Sequence, residues 1–193
     1  FCAFVNLNGQ TRTRGIKYPP DLFKYNKALE GISQMFSETI IEVGVDINSD
    51  LFKNNANLKL VSELWSNCTF DNREYKADGV ETSYPQINFS EIFKNNTKIT
   101  KASGMFSVGA SYNWYIPTGL LLVEKSLLLT CYNINDISNM FYYCKDMMGE
   151  VPEFPSPSYQ ILNVVSGYLS GCTKSNITNV DNLETRLLPA EWL

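Results

Sequence analysis

The chain has 193 residues, 44% hydrophobic and 19% charged, a balance that excludes a disordered chain and suits one domain or one elongated array. Its net charge of −4 and pI near 4.9 offer a polyanion no basic groove, so no nucleic-acid partner is expected. Histidine is absent, which removes Ser–His and Cys–His nucleophiles and the commonest metal ligand.

The opening stretch, FCAFVNLNGQTRTRG, lacks an initiator methionine, a basic lead and a long apolar run, and is not read as a secretory signal. A chain beginning at Phe1 is expected to be a processed product or part of a longer polypeptide. Residues 1–17 are read as a lead-in.

From there one phrase returns. Aligned on its serine, it stands at Ser33, Ser62, Ser103, Ser138 and Ser166, with successive spacings of 29, 41, 35 and 28 residues. The residue before the serine is apolar or small: Ile32, Val61, Ala102, Ile137 and Val165. Two and three residues after it stand Met35–Phe36, Leu64–Trp65, Met105–Phe106, Met140–Phe141 and Tyr168–Leu169. These pairs are assigned to the core. Six residues after it, Cys68, Cys144 and Cys172 share one column with Thr39 and Gly109. Ahead of the serine a second phrase recurs as DLFKYN (21–26), DLFKNN (50–55) and EIFKNN (91–96), with SLLLTC (126–131) at the matching place of the fourth copy.

Repeats of 20–50 residues signal a stacked array in which each unit buries its apolar face against its neighbours. Ser49 and Ser90 are placed to cap short helices that begin with an acidic residue, and the paired asparagines suit helix ends. The apolar spacing around the aligned serine predicts a second short helix of one to two turns. Between the phrases, TIIEVGVDI (39–47), YPQINF (84–89), NWYIP (113–117) and MMGEVPEF (147–154) read as strands, with Pro117 and Pro152 ending them or holding them at an edge. GLLLVEKSLLL (119–129) is too short, and too interrupted by Glu124 and Lys125, to span a bilayer.

ISNMFYYC, SGMFSVG and SGYLSGC, together with DLFKNN and GEVP (149–152), resemble the irregular leucine-rich repeats of BspA-type bacterial surface proteins. Similar repeats occur in structural proteins of phages infecting gut bacteria. The resemblance covers residues 18–185 and implies an α/β leucine-rich-repeat-like solenoid of about five irregular turns, with residues 186–193 as a cap or tail. The chain departs from that pattern in its long insertions, residues 69–90 and 108–126, and in lacking a regular LxxLxL strand.

Chemistry-bearing candidates are sparse. The three cysteines in one column point to small buried thiols; a bridge between Cys144 and Cys172 is conceivable, and Cys2 and Cys131 are unassigned. DINSD (46–50) opens like a calcium loop, but Leu51 and Asn57 stand where that loop needs Gly and Glu. Asn67, Asn88, Asn95 and Asn176 begin glycosylation triplets, close to the number chance supplies. Tyr112, Trp114 and Tyr115, inside an insertion, are candidate contacts for a sugar or a protein, as are Tyr142 and Tyr143. Neither a cofactor nor a metal is expected.

The residues therefore favour a non-catalytic binding or assembly module. The resemblance implies as partner a host-surface protein or glycan, or other protein subunits of a larger assembly. The Asn-, Lys-, Ile- and Tyr-rich vocabulary leans to a virion component, with an extracellular cell-surface adhesin as the alternative. A carboxylate-dependent glycosidase is the rival class. It would need a facing pair of acids, and only Glu150 and Glu153, flanking Pro152, offer themselves.

Overall fold

A computed structural model describes residues 19, 21–42, 50–71, 87–89, 91–109, 121–145, 147–155, 162, 164–173 and 177–178. Within them the aligned copies lie side by side. Gly31, Leu60, Lys101, Asp136 and Val164 pair successively as parallel rungs, and each stands two residues before an aligned serine.

Backbone donors stitch each junction in both directions: the later copy's Lys59 and Leu60 donate to Glu30, Thr100 and Lys101 to Lys59, Asn135 and Asp136 to Thr100, and Val164 to Asn135, and the earlier copy supplies four donors of its own. The N–H groups one residue before the serine (Ile32, Val61, Ala102, Ile137) donate to the next copy's carbonyls at Leu60, Lys101, Asp136 and Val164. Those one residue after it (Gln34, Glu63, Gly104, Asn139) donate to Ser62, Ser103, Ser138 and Ser166. Phe36, Trp65, Phe106 and Phe141 donate to Leu64, Met105, Met140 and Tyr168. Glu38, Asn67, Val108 and Tyr143 complete the set on Ser66, Ser107, Tyr142 and Ser170, the distances running from 2.7 to 3.4 Å. Backbone groups that no helix satisfies are thus paired across copies, as buried polar groups must be.

The phrase is not helical. The residue after the serine is left-handed in every copy: Gln34 (φ 55°), Glu63 (53°), Gly104 (59°), Asn139 (53°) and Gly167 (69°). Glu38 (57°), Asn67 (54°), Tyr143 (57°) and Gly171 (79°) repeat that conformation four residues further on. A right-handed helix cannot pass through these residues. The apolar spacing that imitates a helix comes instead from a chain that turns inward every three or four residues.

The second phrase also resolves into turns. Carbonyls of Asp21, Phe23 and Asn26 accept from the N–H groups three residues on, and Asp50, Phe52, Asn55 and Glu91, Phe93, Asn96 repeat the pattern. Among the described residues only the fourth copy closes a 3-10 helix, Lys125–Leu128. The described residues contain no α-helix. Ser49 and Ser90, the expected caps, lie outside the described residues.

Short strands continue the copies where branched and aromatic residues gather. β1 (Ile40–Glu42) pairs in parallel with β2 (Thr69–Asp71). β3 (Ile87–Asn88), β4 (Leu121–Val123) and β5 (Met148–Gly149) form a second parallel sheet in that order, and Gly149 bridges to Ile177. β2, β3 and β4 fall inside stretches read from the sequence as insertions; the segment NWYIP lies outside the described residues.

The core consists of columns running along the ladder. Phe23, Phe52 and Phe93 stack at 5.3 and 5.5 Å between ring centroids. Phe36, Trp65, Phe106 and Phe141 stack at 6.1, 5.5 and 5.5 Å, and Tyr168 closes that column edge-on. Phe89 wedges between Trp65 and Phe106 in T-shaped contacts, a geometry that the ring quadrupole favours. Leu64, Trp65, Met105, Phe106, Met140, Phe141, Tyr168, Leu169 and Phe36 are buried. Met35 is the correction: it is 37% exposed, while its neighbour Phe36 is buried.

Candidate functional site

Most chemically reactive side chains are used by the packing. Cys68, Cys144 and Cys172 donate their thiols to the carbonyls of Phe36, Phe106 and Phe141 in the preceding copy, at 3.0, 3.0 and 2.9 Å. Thr39, in the same column, turns its hydroxyl to Phe36 within its own copy at 2.7 Å. Cys131 occupies the position held by Asn26, Asn55 and Asn96 in earlier copies and points its sulfur at the Asn96 carbonyl, 3.9 Å away.

The described cysteines are free thiols. Burial pushes Cys68 up to about 11, Cys131 and Cys172 up to about 12, and Cys144 well above the ordinary 9.0, so all four stay protonated at neutral pH. As nucleophiles they are inert. Cys2 lies outside the described residues.

Asp50 and Asn67 are engaged as well. Asp50, from the calcium-like stretch, pairs with Lys53 at 3.2 Å and Lys94 at 3.8 Å. Asn67 spends its amide oxygen on the Gly109 N–H at 2.6 Å. Glu150 and Glu153 are half-buried, their N–H groups bonded to Val123 and Lys125. Among the described residues no three His, Cys, Asp or Glu side chains gather as metal ligands, and no helix is long and apolar enough to cross a membrane.

What remains is the outward side of the ladder. Its residues are mostly short and polar. Ser103 donates to the Ser62 hydroxyl at 3.0 Å, and the Gln34 amide donates to Glu63. Four residues after the aligned serine stand Ser37, Ser107 and Ser170, half-buried, and Ser66, buried. Ser37 and Ser107 donate at 2.9 Å to the carbonyls of Gln34 and Gly104, three residues back.

The fourth copy breaks that column with Tyr142 and adds Tyr143 beside it. Their rings meet edge to face at 4.6 Å, and both side chains are half-buried. The Lys145 ammonium lies 5.8 Å from the Tyr143 centroid. The next copy makes room for them. A Cβ on Gly171 would stand 3.0 Å from Tyr143 Cγ and Cδ2, and one on Gly167 would stand 2.1 Å from Asn139 Oδ1 and 3.7 Å from Tyr142 Cδ2. Tyr142 and Tyr143 are therefore brought together over a floor of glycine. Tyr112, Trp114 and Tyr115 lie outside the described residues.

Sequence reasoning singled out the two tyrosines but missed Asn139, Gly167 and Gly171. The signal was available, since aligning the copies shows serine in this column everywhere except at Tyr142. No family model, curated protein or solved structure matches this chain.

Proposed function

We propose that the chain is a non-catalytic binding or assembly module, a leucine-rich-repeat-like solenoid of about five irregular turns whose outward residues meet a partner. The observation that carries this reading is the division of labour along the ladder. Backbone groups and inward side chains bind copy to copy, whereas the exposed residues differ between copies, as at Gln34 and Asn139, and the half-buried Tyr142–Tyr143 pair lies beside Asn139. Arrays built this way present broad surfaces, and recognition resides in what each repeat places outside its packing unit. The thiols, too deeply protonated to attack, add nothing catalytic to that surface.

Within that class the chain is a structural or host-recognition component of a phage virion, a choice that rests on its Asn-, Lys-, Ile- and Tyr-rich vocabulary and on the repeat phrases. Sedimentation of the native source material, with the chain located by peptide mass spectrometry, tests it. Recovery in particles of virion mass is the expected result. Recovery on a cell envelope overturns the virion assignment and puts a surface adhesin in its place.

A further inference from the structure

We propose that the chain stacks head to tail on a second molecule of itself, the fifth copy of one molecule pairing with the first copy of the next in the register of the internal junctions. This rests on the reading of the chain as an assembly module and names the partner.

The first argument is a ladder left open at both of its outer copies. At each internal junction the N–H groups one residue before the aligned serine, and one, three and five after it, donate to the next copy. The carbonyls that accept stand two residues before that copy's serine, at it, and two and four after it. In the fifth copy the donor positions are Val165, Gly167, Leu169 and Gly171, and none has an acceptor among the described residues. In the first copy the acceptor positions are Gly31, Ser33, Met35 and Ser37, and none has a donor among the described residues. The N–H groups of Glu30 and Gly31, whose counterparts Lys59 and Leu60 donate to the copy before, are open in the same sense. The fifth copy thus carries the donor row, and the first the acceptor row, of one and the same junction. Open rows of this kind are templates for pairing with another chain.

The second argument is the surface of the first copy. Met35 and Leu22 are exposed, whereas their counterparts Leu64, Met105 and Met140, and Leu51, Ile92 and Leu127, are buried. Ser33 and Ser166 are exposed, while Ser62, Ser103 and Ser138 between them are half-buried. Apolar area that inner copies bury stands open here, and covering it favours association.

The third argument is shape, which selects a second molecule over an extended peptide. Gly167 (φ 69°) and Gly171 (79°) turn left-handed at the same places as Gln34 (55°) and Glu38 (57°), so the two outer copies follow one path. A flat strand does not follow a backbone that turns at these points. Successive side chains of this column meet, a Cβ on Gly104 standing 3.0 Å from Glu63 Cγ. Gly167 and Gly171 therefore leave room where Gln34 and Glu38 of the incoming molecule come to lie. Two like copies do not fit, since four carbonyls would face four carbonyls. The contact is heterologous, and its repetition gives an open-ended row rather than a closed pair.

Sedimentation equilibrium of the purified full chain should show a mass that rises with concentration and does not level at two chains. Met35→Asp, which sets a carboxylate among the open carbonyls, should weaken association about tenfold or more and leave the unfolding midpoint of the dilute chain unchanged. The register is read by cross-linking. Inside the ladder Ser103 Oγ lies 3.0 Å from Ser62 Oγ, and the proposed contact sets Ser33 against Ser166 in the same way. In a Cys2→Ser background, Ser33→Cys molecules mixed with Ser166→Cys molecules under oxidised glutathione should give more of the mixed disulfide than of either homodimer. A single-chain mass at every concentration, or a mixed link no more frequent than the homodimers, overturns the proposal. A chain recovered in native particles that sediments alone as single molecules leaves the assembly reading standing and removes only this one.

Discussion

Two edges of the same copies are joined by different means. Around the aligned serines the junctions are made chiefly by main chain, with four N–H donors from the earlier copy and one or two from the later copy, and side chains such as Ser103, Gln34 and Cys68 add to them. Around the second phrase the main chain closes on itself in turns, and side-chain amides cross the gap. The Asn55 amide donates to the carbonyls of Phe23 and Asn26 at 3.1 and 2.8 Å, and that of Asn96 to Phe52 and Asn55 at 3.1 and 2.9 Å. Both asparagines are fully buried. The difference explains which positions tolerate variety. A main-chain junction accepts Gln, Glu, Gly or Asn at one place, whereas the amide junction admits Asn and, once, Cys131.

The largest test of this contrast is Asn96→Ala. It removes two buried amide bonds and leaves the carbonyls of Phe52 and Asn55 without that donor, a loss on the order of 3 kcal/mol in urea unfolding. Ser103→Ala, on the main-chain edge, removes one hydroxyl contact and should cost about 1 kcal/mol or less. Equal losses would erase the distinction.

A smaller effect concerns pH at the thiol column. The unfolded Cys68 thiol ionises near its ordinary 9.0, and the buried one only near 11. Between these values the folded state holds the extra proton, so stability is level below pH 9 and falls as pH rises from 9 to 11. Urea midpoints across that range should fall more steeply for the natural chain than for Cys68→Ser, whose hydroxyl can still reach the Phe36 carbonyl. Parallel slopes would remove burial as the cause.

The smallest effect sharpens the main-chain side. Gln34 is exposed and left-handed, so Gln34→Gly relieves backbone strain and gives up one exposed contact to Glu63. A net gain of up to about 1 kcal/mol is expected, read as a raised urea midpoint. A clear loss would mean that the outward side chains brace the ladder.

The serine spacings made the register legible, since every rung stands two residues before an aligned serine. The same residues misled about local structure. Apolar positions before and after the serine imitate a helix, yet Gln34, Glu63 and Asn139 lie in the left-handed region, which composition does not disclose for Gln or Glu. Thr69–Asp71 and Leu121–Val123 read as insertion sequence and pair as strands. Cys131 had no evident role until its column was seen to be the asparagine column.

Which residues face inward was set by the sequence itself, because burial follows from apolar chemistry repeated at fixed offsets. What the tertiary structure decided is where each polar group finds its partner. The Asn96 amide, the Cys144 thiol and the Tyr143 ring are each settled by a carbonyl or a glycine in a neighbouring copy roughly 28 to 41 residues away along the chain. Over such a distance no local pattern identifies the partner; only the stacking of one copy on the next brings the two into contact.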